Sequence, residues 1–102
     1  MRIGVAELDY TPDPGLPLMG NFRDDYAARG VHDPLSARAF VFENPSGERA
    51  ALLSVDICML NRSNVAFIRE CASRDSGVAA DRILVAATHT HSAPAPMQLG
   101  SL

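Results

Sequence analysis

The strongest constraint on this chain is a change of hydrophobic period between two apolar runs. Arg49 to Val55 (RAALLSV) and Arg82 to Ala87 (RILVAA) are short and nearly continuous in apolar residues. That is the pattern of strands buried on both faces, so RAALLSV reads as a central strand. Between the runs the period becomes helical. Val65, Ile68 and Ala72 share one face, with Phe67 and Cys71 beside it. Asn61 or Ser63 can cap the start by accepting from a free first-turn N–H, and Gly77 suits the stop. A strand, a helix over 62–75 and a strand over 82–87 make a βαβ unit. Its strands are expected to be parallel and its crossover right-handed.

The upstream sequence adds antiparallel structure. From Ser36, Ala37, Ala39 and Val41 alternate with Arg38, Phe40 and Phe42, which suits a strand with useful side chains on both faces. Asn44-Pro45-Ser46-Gly47 is a turn, so this strand and RAALLSV should form a hairpin. Ile3 to Leu8 reads as a short first strand, and the prolines of Thr11 to Pro17 stiffen an irregular loop after it. Met19 to Val31 has no clear period, and its Arg23, Asp24, Asp25 and Arg29 read as a solvated charged surface. The fold class is therefore α/β: a mixed sheet with a β-hairpin and one right-handed βαβ unit.

Composition removes several functions. With nine Lys+Arg (all of them Arg) against twelve Asp+Glu, the net charge is −3, which argues against a broad nucleic-acid surface. Two cysteines, Cys58 and Cys71, make no disulfide framework and no CxxC metal motif, and they read as buried free thiols. The N-terminus reaches Glu7 too early for a secretory signal, and no run approaches the roughly 18 apolar residues of a membrane span. By default these features place the chain in the cytoplasm.

Open α/β sheets bind ligands beyond the carboxyl ends of their parallel strands. One such end here carries Asp56; the other carries Thr88-His89-Thr90-His91-Ser92. In extended backbone, histidines at i and i+2 project to one side and can meet one ion or one substrate oxygen. Neutral imidazole is a good ligand for zinc, but a catalytic zinc usually has three protein ligands and an open position. His32 is a candidate for a further role, with Asp33 able to orient it. Asp56 is a candidate ligand, or an acceptor that fixes a histidine tautomer. Ser92 lacks the strained GxSxG elbow of a nucleophile.

Four blocks carry a family resemblance: GVAELDYTPDPGLPLMGNF, GVHDPLSARAFVF, RAALLSVDI and ILVAATHTHSAP. Together they resemble the N-terminal part of the neutral/alkaline (non-lysosomal) ceramidases and their bacterial relatives. The resemblance implies a zinc-dependent amidohydrolase that cleaves the N-acyl amide of ceramide or a related lipid amide. It implies that His89 is a zinc ligand, one of a set of two His, a Glu and a Tyr. It implies that His91 acts in catalysis by polarising the substrate carbonyl or stabilising the oxyanion. Gly20 matches a segment whose backbone approaches the substrate, and His32 belongs to a shared motif. The remaining ligands and a functional serine are expected beyond Leu102, so the chain reads as the N-terminal part of a larger catalytic domain, missing the remainder.

One departure stands out. The family commonly reads THTHSGP, and this chain has Ala93 where the glycine would stand, which puts the ceramide preference in question. Two alternatives compete: a non-catalytic metal-binding or structural module using His32, His89 and His91, and a different metallohydrolase. The latter would require further His or Asp ligands close behind, where Ala93 and Pro94 stand instead.

Overall fold

The computed structural model describes residues 1–19 and 27–94. Four strands form one sheet in the order β1-β2-β3-β4. They are β1 (Arg2–Asp9), β2 (Ser36–Glu43), β3 (Arg49–Val55) and β4 (Ile83–Ala87), with α1 (Arg62–Ser76) between the last two. β1 pairs antiparallel with β2, β2 antiparallel with β3, and β3 parallel with β4. The mixed α/β sheet, the hairpin and the βαβ unit are thus all present.

Local chemistry explains each boundary. In the hairpin turn, the Asn44 side-chain oxygen accepts from the backbone N–H groups of Ser46 and Glu48, and Gly47 takes a φ of 83°. At the helix start, Asn61 and Asn64 form a reciprocal cap. Asn61 Oδ1 accepts from Asn64 N at 2.7 Å, while Asn61 N donates to Asn64 Oδ1 at 3.2 Å. Gly77 ends α1 at φ 75°, and its N–H donates to the Ser73 carbonyl.

The registers divide the sheet into two faces. Ile83, Ala51 and Val41 are cross-strand partners on one face, and Leu84, Leu52, Phe40 and Val5 on the other. Helix α1 covers the first beside β4, where Ile83 is only 2% exposed and its carbonyl accepts from Arg69 Nε at 2.8 Å. Among the described residues the second face has no such cover, and Leu84 is 60% and Val5 68% exposed. The expectation that RAALLSV is buried on both faces fails for this reason. Arg49 and Ala50 are exposed, and Ala51 to Val55 are half-buried. Phe67 also departs from its expected place beside the packed stripe and projects to solvent. Among the described residues, no helix is long and apolar enough to cross a membrane.

The proline loop folds across the sheet's end. Pro17 bridges Ala27, Leu18 bridges Pro94, and Met19 N donates to the Ala93 carbonyl. That ties the loop to the segment following β4.

The cap geometry makes a prediction. A methyl group at Gly77 would meet nothing within 4 Å, so Gly77→Ala isolates the conformational cost of a left-handed residue. The expected loss is roughly 1–2 kcal/mol of folding stability, measured by chemical denaturation.

Candidate functional site

The parallel β3–β4 ladder does not stop at its last paired residues. Thr88 N donates to the Val55 carbonyl at 3.0 Å, and His89 N to the Ile57 carbonyl at 2.9 Å. The two strand ends therefore stay in register while the chain turns, and His89 takes a φ of 65°. Among the described residues it is the sole non-glycine with positive φ. Such conformations cost of order 1–3 kcal/mol and persist where their surroundings hold them.

This corrects the extended geometry expected for the His-x-His pair. The backbone kinks at His89, and the two rings meet edge to face, with centroids 5.0 Å apart at 81°. Their Nε2 atoms stand 3.5 Å apart. The other nitrogen of His89, Nδ1, lies 2.8 Å from the Cys58 main-chain carbonyl, which accepts its proton. That contact fixes the tautomer and directs the Nε2 lone pair toward His91. The Cys58 thiol also lies close, with Sγ 3.4 Å from Nδ1. One donor atom from each of Cys58, His89 and His91 falls within 4.8 Å of the others.

Cys58 is the participant that sequence reasoning missed. It is 5% exposed, as expected of a buried thiol. A signal was available: it follows β3 by three positions, at the rim where the parallel strands end. Cys71, on α1, is only half-buried.

The Asp56 carboxylate does not hold a histidine. Oδ2 accepts from Ser36 N at 3.0 Å, and Oδ1 lies 3.5 Å from Arg38 Nη1. Its main-chain carbonyl accepts from the Tyr10 hydroxyl. Glu7 completes the cluster, lying 3.3 Å from Arg38 Nε and accepting from the Ser36 hydroxyl at 3.2 Å. Asp56 thus fastens three strands together beside the site. Burial, reinforced by the negative charge of Asp56, raises the Tyr10 pKa above its ordinary 10.

A cleft of about 610 Å³ lies alongside. Leu16, Leu18, Val31 and Leu35 give it apolar wall, and Asp56, Thr90 and Ser92 give it polar wall. His32 also lines it, with Nδ1 held 2.9 Å from Asp33 Oδ2, so Asp33 does orient this ring. The structure thus separates the expected site residues. His89 and His91 form one pair, whereas His32 and Asp56 border the neighbouring cleft. Segment 88–92 joins the two, with Thr90 and Ser92 on the cleft side. Gly20 and the charged stretch 23–25 lie outside the described residues. Ala93 is fully buried and its φ is not positive, so the methyl replacing the family's glycine brings no backbone strain.

Comparison with known proteins agrees with this architecture. Residues 1–100 match the sequence profile of the N-terminal region of the neutral/alkaline non-lysosomal ceramidases. Neutral ceramidase B of Dictyostelium discoideum is 35% identical over 98 residues, covering 92% of this chain and 14% of that protein. Neutral ceramidase 2 of Arabidopsis thaliana is 30% identical over 95 residues, covering 90% of this chain and 12% of that protein. The crystal structure of neutral ceramidase from Pseudomonas aeruginosa superposes with a TM-score of 0.77 at 28% identity, covering 91% of this chain and 15% of that one. A ceramidase complexed with C2 gives 0.78 at 29% identity, covering 92% and 15%. The chain belongs to the neutral/alkaline non-lysosomal ceramidase family, and it spans about a seventh of the length of these relatives.

The Tyr10 contact sets a pH dependence. The folded state holds the Tyr10 proton more tightly than the unfolded chain does. The contribution of Tyr10 to stability is therefore constant up to about pH 10 and falls as the pH rises further, because the unfolded chain ionises first. Tyr10→Phe should remove this alkaline loss, and with it the later of the phenolate transitions seen by ultraviolet absorbance.

Proposed function

We propose that this chain contributes to the active site of a zinc-dependent amidohydrolase that cleaves the N-acyl amide bond of ceramide or a related lipid amide. The observation that carries this reading is the His89–His91 pair, set at the carboxyl end of β4 in a chain of ceramidase ancestry. The two Nε2 atoms stand 3.5 Å apart, so a metal on His89 and a substrate oxygen on His91 would be immediate neighbours.

Zinc bound here would act as a Lewis acid on the amide carbonyl and bring the pKa of a bound water near 7. His89 holds its ring in place through the Nδ1 proton on the Cys58 carbonyl, which leaves Nε2 as its donor atom. His91 stands beside it and serves the substrate carbonyl oxygen, stabilising the negative charge that develops there. The neighbouring cleft suits an amphipathic amide. Its leucines and Val31 face apolar chain, and His32 at its border binds the polar part of the substrate. Gly20 is assigned to substrate contact on the resemblance alone.

The test is His89→Ala in the full-length protein. Zinc content should fall from stoichiometric to background, and ceramide hydrolysis should drop by more than the roughly 10–100-fold typical of losing a residue that merely orients a metal ligand. A variant that retains one zinc per chain would remove His89 from the metal site.

A further inference from the structure

We propose that Ala93 is a positioning residue that sets substrate specificity: from behind the cleft wall it fixes the clearance of the cleft, and so decides between straight and kinked acyl chains. This deepens the lipid-amide reading above and rests on it, since it takes the cleft to hold the apolar chain of the substrate.

The cleft wall is a small ribbon of three segments. Gly15 N donates to the Ala28 carbonyl at 2.8 Å, Ala28 N donates to the Leu16 carbonyl at 2.9 Å, and Pro17 bridges Ala27. The far end of the same segment meets residues 93–94. Leu18 bridges Pro94 there, and Met19 N donates to the Ala93 carbonyl at 3.0 Å. At the base, Tyr10 N donates to the Leu35 carbonyl and Leu35 N to Thr11 Oγ1. Among the described residues the ribbon is thus tied to the rest of the fold at its base, near Thr11, and at its tip, on Ala93.

Alternation along the chain says what the Ala93 methyl does. Leu16 and Leu18 line the cleft and Pro17 does not; Thr90, Ser92 and Pro94 line it and the residues between them do not. Side chains two positions apart share one side of extended chain. The Ala93 methyl therefore lies behind the wall, where the residue is 0% exposed.

A methyl enclosed in this way holds the wall against change in both directions. Extra carbon has no room behind the wall, because a close-packed interior does not absorb added methylenes, so a larger side chain pushes segment 90–94 into the cleft. Removing the methyl leaves a void and a freer backbone at the tip anchor, so the wall can give way to a bulkier ligand. A cis double bond widens the path that an acyl chain sweeps without changing its carbon number. Clearance therefore acts on chain shape.

The test compares hydrolysis of N-stearoyl and N-oleoyl sphingosine by the full-length, zinc-loaded protein. These amides have equal carbon number and differ by one cis double bond. The readout is the ratio of kcat/KM for the stearoyl to the oleoyl substrate. Ala93→Val should raise this ratio and Ala93→Gly should lower it, each by about threefold or more. That is below the roughly 10–200-fold of a methylene in direct contact with substrate, because Ala93 acts through the wall. The shift should sit in KM with kcat unchanged, as expected where only uniform binding is altered. Zinc content should match that of the wild type. Ala72→Gly on α1 is the control: glycine inside a helix lowers stability, and the ratio should stay at its wild-type value. Where Ala93→Val fails to fold, Ala93→Gly carries the test. An unchanged ratio in Ala93→Gly would overturn the proposal and leave the lipid-amide reading standing. A ratio that moves equally in Ala72→Gly would overturn it too, since general loosening would then suffice. Wild-type protein that hydrolyses neither amide would overturn this proposal together with the reading beneath it.

Discussion

Everything near the site depends on the parallel pairing of β3 with β4 and on its continuation beyond the last paired residues. A parallel ladder fixes where two strands end relative to one another. Here the Val55 and Ile57 carbonyls take up Thr88 N–H and His89 N–H, so the ladder is still guiding the chain where it turns. The left-handed conformation of His89 follows from that guidance, as does the meeting of the two imidazoles. Asp56 fastens the same rim from the other side, through Ser36 N and Arg38. His89 is thus held by main-chain hydrogen bonds beside a strand-end ion cluster, which are stiffer supports than side-chain packing on a loop.

Much of the fold was legible because it obeys local rules. The Asn-Pro-Ser-Gly turn, the Asn61 cap and the Gly77 stop each act through neighbouring backbone, and each sits where the sequence puts it. The parallel pairing of RAALLSV with RILVAA was readable from the helix between them. Burial was not. Nearly continuous apolar runs imply two covered faces, but among the described residues α1 covers only one of them, leaving Val5 and Leu84 largely exposed. A residue's period says which face it joins, and not whether anything lies against that face.

The site was legible in part, for a similar reason. His89 and His91 could be placed at a strand end from sequence, because the ladder decides that position. Their mutual geometry could not, since it arises from a positive φ that nothing local to THTHS announces. Asp56 was a reasonable orienting group by position, yet its side chain turns to Ser36 and Arg38, and a peptide carbonyl does the orienting. Main-chain acceptors carry no residue identity, so sequence cannot name them. Cys58 was hidden differently: a lone cysteine after an apolar run is usually a small buried hydrophobe, and what distinguishes this one is contact with residues some thirty positions away.

The backbone at position 89 sets the local fold against its chemistry. A left-handed residue is most comfortable as glycine or asparagine, and only the imidazole would supply the proposed metal donor. On the proposed zinc role, selection for stability alone would drift away from histidine there, while selection for the metal would hold it in a conformation the fold would not otherwise choose. On that role the turn would be a point where stability and activity trade against each other. Variants that gain stability from changes at this turn are therefore the ones in which loss of the donor geometry is to be looked for first.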